Sequence, residues 1–479
     1  MTDLILGIDI GTTAVKLAAY DLAGVEVFRR ATPYPTRHAA AIAEQDPSDW
    51  LSLVDEGLAD LAAAALADRV RAVGVTSQVN THVFVDGKRH PLHRAITWKD
   101  GRCAAQAARI DAEIDHQTRL EWFGAPMPID ASHMVARMAW MAETHPDIWA
   151  RTAAVLLPKD LAIAHLTGAV LSDPVSHIGA IAPRGGFAPV FDRVAGARTR
   201  LPGLQDPTSI AGMTTLPGAS GPIPVATGLM DAWAGMLGVG TRRDGQAMYL
   251  SGTSEIAGVL SPNIHAAPGI LVFPPYAGIT MHVAPTQAGG AALDWIAGVL
   301  GLSPAQAIAT AKPAAALFLP HLPGERAPLW DAHARGTFLG LTPDMGPAEL
   351  AHCVLEGVAM AVRLAFEGLD QSAGLRANIL NCGGGGFASD RWNQIRANML
   401  DRTLQCVAAR DPGALGAAAV AAVAAGLHPN LDAALSQTVR FDRRFVPDRA
   451  ARDRSDALFA LYQPAYEAAR ATNHALAAL

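Results

Sequence analysis

The segment GIDIGTTAVKLAAY, residues 7–20, places an acid inside an apolar strand and ends that strand with a glycine and two threonines. Its pattern predicts a strand, a turn at Gly11, Thr12 and Thr13, and a second strand. Such a turn lets backbone N–H groups and hydroxyls converge on a phosphate. A buried carboxylate is costly without a partner, and Asp9 gains one if Mg²⁺ accompanies the phosphate. The alternative is an ordinary hairpin in which the acid caps a neighbouring element.

A similar pattern returns near the midpoint of the chain. LSGTSEIAGVL, residues 250–260, again joins two apolar strands through Gly252, Thr253 and Ser254. Two phosphate-binding turns explain this repeat better than chance does, and they point to two related domains. The predicted domains are residues 1–240 and residues 241–479. No G-x-x-x-x-G-K-[ST] motif occurs, so a nucleotide would not be held by a P-loop.

Composition favours an enzyme over a nucleic-acid binder. A chain of 479 residues is longer than a domain with a single hydrophobic core, which predicts two domains. Its formal net charge of −6 disfavours a polyanion partner such as a nucleic acid. The longest run of small apolar residues, 416–427, is shorter than the about 20 residues of a membrane span. The four cysteines form no C-x-x-C pair, which argues against a zinc site or a disulfide framework. We therefore expect a cytoplasmic protein without a membrane segment.

Asp231 follows a short apolar strand and a glycine turn, at the predicted start of a helix. Aspartate is a good N-cap residue, which is the structural interpretation. An aspartate at such a position equally suits a proton acceptor for a hydroxyl that attacks phosphorus. Spacing alone leaves both interpretations open.

Two other segments carry candidate ligand contacts. CGGGGFAS, residues 382–389, fits a glycine surface for adenine or ribose, a flexible loop, or a dinucleotide fingerprint with Asp401 as the ribose contact. ITWKDGR, residues 96–102, combines a ring, an acid and a base, which suits a polyol. The tryptophan in that cluster, Trp98, equally suits a core position.

Taken in chain order, the motifs resemble the FGGY family of carbohydrate kinases, with xylulokinases as the most similar members. The resemblance spans nearly the whole chain and rests on GIDIGTTAVK (7–16), TSQ (76–78), ITWKDGRCA (96–104), LLPKDLAIAHLTG (156–168), VATGLMDAWAGMLGVG (225–240), LSGTS (250–254), FLPHLPGERAPLWDAHARGTFLGLT (318–342), CGGGGFASDRWNQIRANML (382–400) and GALGAAAVAA (413–422). It implies an α/β fold of two actin-like, ribonuclease H-like domains with an interdomain cleft, and the use of ATP and Mg²⁺.

The resemblance also implies a role for individual residues. Asp231 matches the catalytic base, and Asp9 matches the catalytic acidic residue beside the metal. The implied ATP and phosphate contacts are Gly11, Thr12, Thr13, Gly252, Thr253, Ser254, Gly384 and Gly385. The implied substrate contacts are Gln78, Val79, Asn80, Trp98 and Asp100.

Two departures from the xylulokinase pattern leave the acceptor open. Val79, Asn80 and Thr81 replace Met-His-Gly, and Leu229 and Met230 replace small glycines before the proposed base. We predict ATP-dependent phosphorylation of a primary hydroxyl of a xylulose-like ketopentose or related polyol. Glycerol, erythritol and a deoxyketose are alternative acceptors, and a non-catalytic sugar sensor and an NAD-linked oxidoreductase are alternatives of other classes. We expect a small-molecule substrate and no nucleic acid, with a homodimer as one option for the oligomeric state.

Overall fold

The computed structural model describes residues 2–124, 127–264, 266–273, 275–276, 278–477 and 479. The chain forms two compact units, each built from two stretches of sequence. The first unit comprises Met1–Gly238 and Asp411–Val439. The second unit comprises Val239–Arg410 and Arg440–Leu479.

The strands alternate with helices along most of the chain. The strands are β1 Leu4–Ile10, β2 Ala14–Asp21, β3 Glu26–Pro33, β4 Arg37–Ala39, β5 Ile42–Gln45, β6 Val70–Ser77, β7 Val83–Val85, β8 Ala95–Ile96, β9 Ala154–Leu156, β10 Leu171–Ser172, β11 Gly203–Leu204, β12 Ile210–Thr214, β13 Ile223–Ala226, β14 Ala247–Ser251, β15 Glu255–Leu260, β16 Leu271–Val272, β17 Met281–Pro285, β18 Leu317–Leu319, β19 Thr337–Leu339, β20 Ile379–Gly383, β21 Thr403–Val407 and β22 Phe441–Phe445.

The helices range from six to 29 residues. They are α1 Pro47–Ala63, α2 Ala104–Ala112, α3 His116–Phe123, α4 Met134–Thr144, α5 Pro146–Arg151, α6 Pro158–Thr167, α7 Asp231–Gly238, α8 Gly290–Val299, α9 Pro304–Thr310, α10 Pro347–Ala373, α11 Asp390–Leu400, α12 Pro412–Ala424, α13 Leu431–Thr438 and α14 Arg449–Ala477. Among the described helices none alone is long and apolar enough to cross a membrane, and α8 and α9 reach that length only together, across an 85° bend.

Each unit is built around one large mixed sheet. In the first unit the strand order is β12-β13-β6-β1-β2-β3, and β1 pairs antiparallel with β2 and parallel with β6. In the second unit the order is β16-β17-β15-β14-β20-β21-β22, and β14 pairs antiparallel with β15 and parallel with β20. The two predicted turns therefore occupy the same place in their sheets, between an inner strand and its antiparallel neighbour.

Helix α12 packs against β1 and β6 through glycines. A Cβ added at Gly7 would lie 1.9 Å from the carbonyl oxygen of Ala414, and one at Gly74 would lie 1.9 Å from that of Ala417. Only glycine permits so close an approach between a strand and a helix backbone. This packing places residues 411–439 in the first unit, whereas the prediction of two continuous domains assigned them to the second.

Local patterns predicted most elements of both sheets. The apolar runs at residues 4–10 and 70–77 form strands β1 and β6, the apolar periodicity that starts at Pro347 forms helix α10, and the small apolar run at residues 416–427 lies mostly in the buried helix α12. The helical periodicity of residues 102–150 is divided among four separate helices, α2 to α5. Gly124, in the left-handed conformation at φ 73°, ends the second of these.

Candidate functional site

The first glycine turn leaves its threonine side chains accessible. Gly11 and Thr12 are partly exposed and Thr13 is exposed. The Gly11 N–H donates to the carbonyl of Ala14 at 3.1 Å, which closes the turn between β1 and β2. The carbonyl groups of the turn face supporting residues instead: Gly11 O accepts from the Tyr34 hydroxyl, and Thr12 O accepts from the Gln45 amide at 2.9 Å.

Asp9 is a buried acid with one engaged oxygen and one unpartnered oxygen. Its residue exposure is 6%, and Lys16 Nζ donates to Oδ2 at 3.1 Å. Lys16 also lies 3.6 Å from Asp411, which accepts from Arg29 Nε at 2.6 Å. The negative charge of Asp9 raises the pKa of Lys16. Asp9 Oδ1 is buried and has no hydrogen-bond partner among the described residues, so it is the oxygen with capacity for a ligand.

Gln78 belongs to the polar layer behind the first turn. Its amide donates to Gln45 Oε1 at 2.7 Å and to the Tyr34 hydroxyl at 3.4 Å. Its residue exposure is 1%, and within the described ranges its Oε1 has no partner. Gln78 therefore contacts both residues that support the turn, Tyr34 and Gln45, and its Oε1 can still accept a hydrogen bond from a ligand.

Trp98 also contacts the first turn. Its indole N–H donates to the Thr12 hydroxyl at 3.2 Å, and Lys99 Nζ lies 5.0 Å from its ring centroid. The ring is half-buried in the loop after β8, which differs from the core position that the sequence left open.

Asp100 is engaged by its own loop. Arg102 donates to both carboxylate oxygens, with distances from 2.6 to 3.0 Å, and the Ala43 N–H donates at 2.7 Å. Burial raises the pKa of Asp100, but the hydrogen bonds from Arg102 and from the Ala43 N–H, together with the charge of Arg102, outweigh it and hold the pKa below its ordinary value. Its side chain has no exposed surface, so the carboxylate orders the loop that carries Trp98.

Val79 and Asn80 lie in a loop that a buried arginine supports. Asn80 adopts φ 51° and donates to the Ser132 hydroxyl at 3.2 Å, and Val79 is partly exposed. Arg137 is fully buried and donates to the carbonyl oxygens of Asn80, Ile96 and Thr97. Burial lowers the pKa of Arg137 to about 10. One guanidinium thus fixes both loops that carry the predicted sugar contacts.

Asp231 begins helix α7 and is partly exposed. Its Oδ1 accepts from the next N–H, that of Ala232, at 2.8 Å. Leu229 and Met230, which stand where the family has small glycines, are each 1% exposed and pack inside the protein.

The turn before Asp231 is held by a buried lysine. Lys159 Nζ donates to the carbonyl of Thr227 at 3.2 Å and pairs with Asp160 and Asp173 at 2.6 and 2.8 Å. All three charged side chains have no exposed surface. Burial lowers the pKa of Lys159, but the two carboxylates outweigh it and raise the pKa above its ordinary value.

The second glycine turn is tied to the start of a helix. Gly252 O accepts from the Gly290 N–H at 2.9 Å, and Thr253 O accepts from the Ala291 N–H at 3.1 Å. These N–H groups belong to the first turn of α8. Gly252 and Thr253 are exposed and Ser254 is partly exposed. As in the first turn, the carbonyls are engaged on one side and the side chains remain accessible.

Three of the four glycines in the run Gly383–Gly386 differ in what surrounds them. A Cβ on Gly384 would lie 2.4 Å from Ser251 O, and a Cβ on Gly386 would lie 1.9 Å from Ser251 Oγ. A Cβ on Gly385 would meet no described atom within 4 Å. Gly385 is exposed, so it is the position where a ligand can approach the backbone.

The structure does not favour the dinucleotide alternative for this run. Asp401, the ribose contact that this alternative requires, ends helix α11 in the left-handed conformation. Its carboxylate pairs with Arg376 and Arg452, each at 3.3 Å. The acid is therefore part of an ion-pair cluster.

Five residues that support these features were not among the predicted site residues: Lys16, Tyr34, Gln45, Lys159 and Arg396. A signal existed for Lys16, because a short turn after Ile10 places residue 16 opposite Asp9 in an antiparallel pair, as observed. The other four act over long separations in sequence. Arg396, for example, donates to Ser251 Oγ at 2.9 Å across 145 residues of sequence.

Comparison with known proteins gives a match along most of the chain. Residues 4–238 match the N-terminal domain of the FGGY family of carbohydrate kinases, and residues 247–425 match its C-terminal domain. Xylulose kinase from Escherichia coli is 31% identical over 97% of this chain and 97% of its own length.

Solved structures share the fold over nearly the full length. Xylulose kinase from Rhodospirillum rubrum superimposes with a TM-score of 0.83 at 26% identity, over 98% of this chain and 100% of that chain. Glycerol kinase from Plasmodium falciparum, solved with ADP, gives a TM-score of 0.83 at 18% identity, over 97% and 98% of the two chains. The chain therefore has the two-domain, actin-like fold of these kinases.

Proposed function

The chain belongs to the FGGY family of carbohydrate kinases, and from that premise we propose that it transfers the γ-phosphoryl group of ATP to a primary hydroxyl of a xylulose-like ketopentose. One observation carries the proposal. Both Gly-Thr turns have their carbonyl oxygens engaged by supporting groups, while their hydroxyl-bearing side chains remain accessible. Such turns present donors, and few acceptors, to an anion.

Asp231 is the proposed general base. Its carboxylate would accept the proton of the attacking hydroxyl as the new oxygen–phosphorus bond forms and the bond from the γ-phosphorus to the departing ADP breaks, and the carboxyl group would then release the proton to solvent. The Lys159 contact to Thr227 O holds the preceding turn, so it supports a fixed position for this carboxylate. Phosphoryl transfer depends mainly on positioning and charge stabilisation, which this arrangement serves.

Asp9 is the proposed metal-side acid. Its Oδ1 has no partner among the described residues, and a hard carboxylate oxygen suits Mg²⁺. No cluster of three or more His, Cys, Asp or Glu side chains that could hold a metal occurs in the described part of the chain. This agrees with Mg²⁺ held by one carboxylate, water and substrate phosphates, where it neutralises phosphate charge. Lys16 would keep Asp9 oriented through Oδ2.

Acceptor and nucleotide contacts follow from the same geometry. Trp98, Val79, Asn80 and the free acceptor of Gln78 are the proposed sugar side, with Asp100 supporting the loop. Phosphate contacts are proposed for Gly11, Thr12, Thr13, Gly252, Thr253 and Ser254, and nucleotide contacts for Gly384 and Gly385. We propose the cytoplasm as the compartment, since all four cysteines are free and buried.

The test is ADP release from Mg·ATP in the presence of D-xylulose, D-ribulose, erythritol, glycerol, a deoxyketose and D-fructose. We expect one ketopentose to give the highest kcat/KM, with the phosphate on its primary hydroxyl by NMR. If erythritol or glycerol is turned over preferentially, that compound replaces the ketopentose as the proposed acceptor, and the proposed kinase activity stands. Saturable sugar binding with no ADP release from any acceptor would contradict the proposal and favour a sensor.

A further inference from the structure

The two glycine turns have equivalent carbonyl groups that different partners engage. In the second turn, the backbone N–H groups of Gly290 and Ala291 donate to Gly252 O and Thr253 O. In the first turn, Tyr34 and Gln45 side chains donate to Gly11 O and Thr12 O. The first turn thus receives from two side chains the hydrogen-bond donors that the second turn receives from the N–H groups at the start of a helix.

Chemistry fixes the orientation of the Gln45 amide. A carbonyl only accepts, so the nitrogen of Gln45 must face Thr12 O, and it also donates to the Thr36 hydroxyl at 2.8 Å. The oxygen of Gln45 then faces Gln78, whose nitrogen donates to it at 2.7 Å. Gln45 itself has no exposed surface, so each of these bonds is protected from water.

We propose that Gln45 is a positioning residue for the first phosphate-binding turn, an inference that rests on the proposed function. By holding Thr12 O away from the phosphate side, its amide orients the Thr12 peptide so that the turn offers donors to phosphate. Without this donor the Thr12 peptide is free to adopt orientations in which its carbonyl oxygen faces the phosphate side, and a carbonyl oxygen there repels a negatively charged phosphate. The Thr12 hydroxyl is oriented separately, by the indole N–H of Trp98.

The proposed sugar contact Gln78 is hydrogen-bonded to the same two side chains that hold the first turn. Gln78 touches both supporting side chains, Gln45 and Tyr34, and Trp98 touches Thr12. Loss of the Gln45 donor therefore acts first on nucleotide affinity, because the Thr12 peptide changes orientation while the sugar-side residues keep their own contacts.

The experiment is calorimetric titration of the full chain with Mg·AMP-PNP, a non-hydrolysable ATP analogue. Gln45→Glu keeps the size and the acceptor but replaces the donor with a carboxylate oxygen, and Gln45→Leu removes both. We expect each to raise the Kd at least fivefold and to raise KM for ATP in parallel. Thr36→Ala is the matched control, because it removes the other acceptor of the same nitrogen and leaves the Thr12 bond.

Folding is controlled separately. Affinity is measured well below the melting temperature of each variant, and a merely structural role would lower Tm without changing Kd. If Gln45→Leu does not fold, Tyr34→Phe gives the second readout, since it removes the donor to Gly11 O and keeps the ring beside Trp50, 6.2 Å away.

The outcomes separate this inference from the proposed function. Wild-type protein that binds Mg·AMP-PNP, with folded Gln45→Glu or Tyr34→Phe binding it equally well, would overturn the positioning role alone. Wild-type protein that binds no Mg·AMP-PNP would overturn the proposed function, and the positioning role with it. Weakened binding by the Gln45 variants but not by Thr36→Ala supports both.

Discussion

Two adjacent glycines should respond to alanine in opposite ways, because the structure gives them different surroundings. In Gly384→Ala the new Cβ would lie 2.4 Å from Ser251 O, at a φ of +100° that side chains rarely adopt. Backbone strain of this kind costs about 1–3 kcal/mol and overpacking about 1–3 kcal/mol. We therefore expect Gly384→Ala to lower the free energy of unfolding by about 4 kcal/mol.

Gly385→Ala is the matched control for stability. No described atom lies within 4 Å of the added Cβ, and the residue starts a short 3₁₀ helix. Alanine is favoured over glycine in helical backbone by up to about 1 kcal/mol, so stability should stay within about 1 kcal/mol of wild type. The exposed methyl should instead obstruct the nucleotide and raise KM for ATP about tenfold.

Urea unfolding followed by circular dichroism measures the first effect, and initial rates at varied ATP measure the second. The reasoning about packing is refuted if Gly384→Ala unfolds at the same urea concentration as wild type. The nucleotide role of Gly385 is refuted if its alanine variant is folded and keeps the wild-type KM for ATP.

Three further predictions concern buried charge and proton binding. Burial lowers the pKa of His177 from 6.5 to about 4. Between pH 6.5 and 4 the imidazole is therefore protonated in the unfolded chain and neutral in the folded chain, which favours unfolding. Stability should fall by about 3 kcal/mol from pH 6.5 to 4, and His177→Gln should flatten that loss in pH-dependent denaturation. Lys159→Met leaves Asp160 and Asp173 buried without their cation, and we expect about 3–5 kcal/mol less stability by urea unfolding; a loss below 1 kcal/mol would contradict the role of the ion pairs. Asp9→Asn should raise the Mg²⁺ concentration for half-maximal turnover about tenfold, and an unchanged Mg²⁺ dependence would remove Asp9 from the metal side.

The strands and turns were predictable because their signals are local. Apolar runs broken by Gly-Thr turns specify β1 and β14, and the spacing of apolar residues specifies α10 over its full length. The return of α12 to the first unit has no local signal. It depends on glycines in β1 and β6 that admit the helix backbone, far away in sequence.

The candidate site was predictable in its residue types but less so in its contacts. Gln78 was assigned to a sugar from the family resemblance and Trp98 also from its chemistry, yet their donors contact Gln45 and Thr12. Gln45 lies 33 residues from Thr12, and only the folded chain brings them together. Asp100 carried a signal that was overlooked, since an arginine two residues later competes for its carboxylate.

Phosphoryl transfer by Asp231→Asn tests whether Asp231 is the general base. Asparagine keeps the size and the capping capacity of aspartate at the start of α7 but cannot accept the proton. Asp115→Asn, at the N-cap of α3, is the matched control for capping alone. The account predicts that Asp231→Asn binds Mg·AMP-PNP like wild type and loses at least about 1,000-fold in kcat with the preferred sugar, while Asp115→Asn stays near wild type. Wild-type turnover in Asp231→Asn would contradict it.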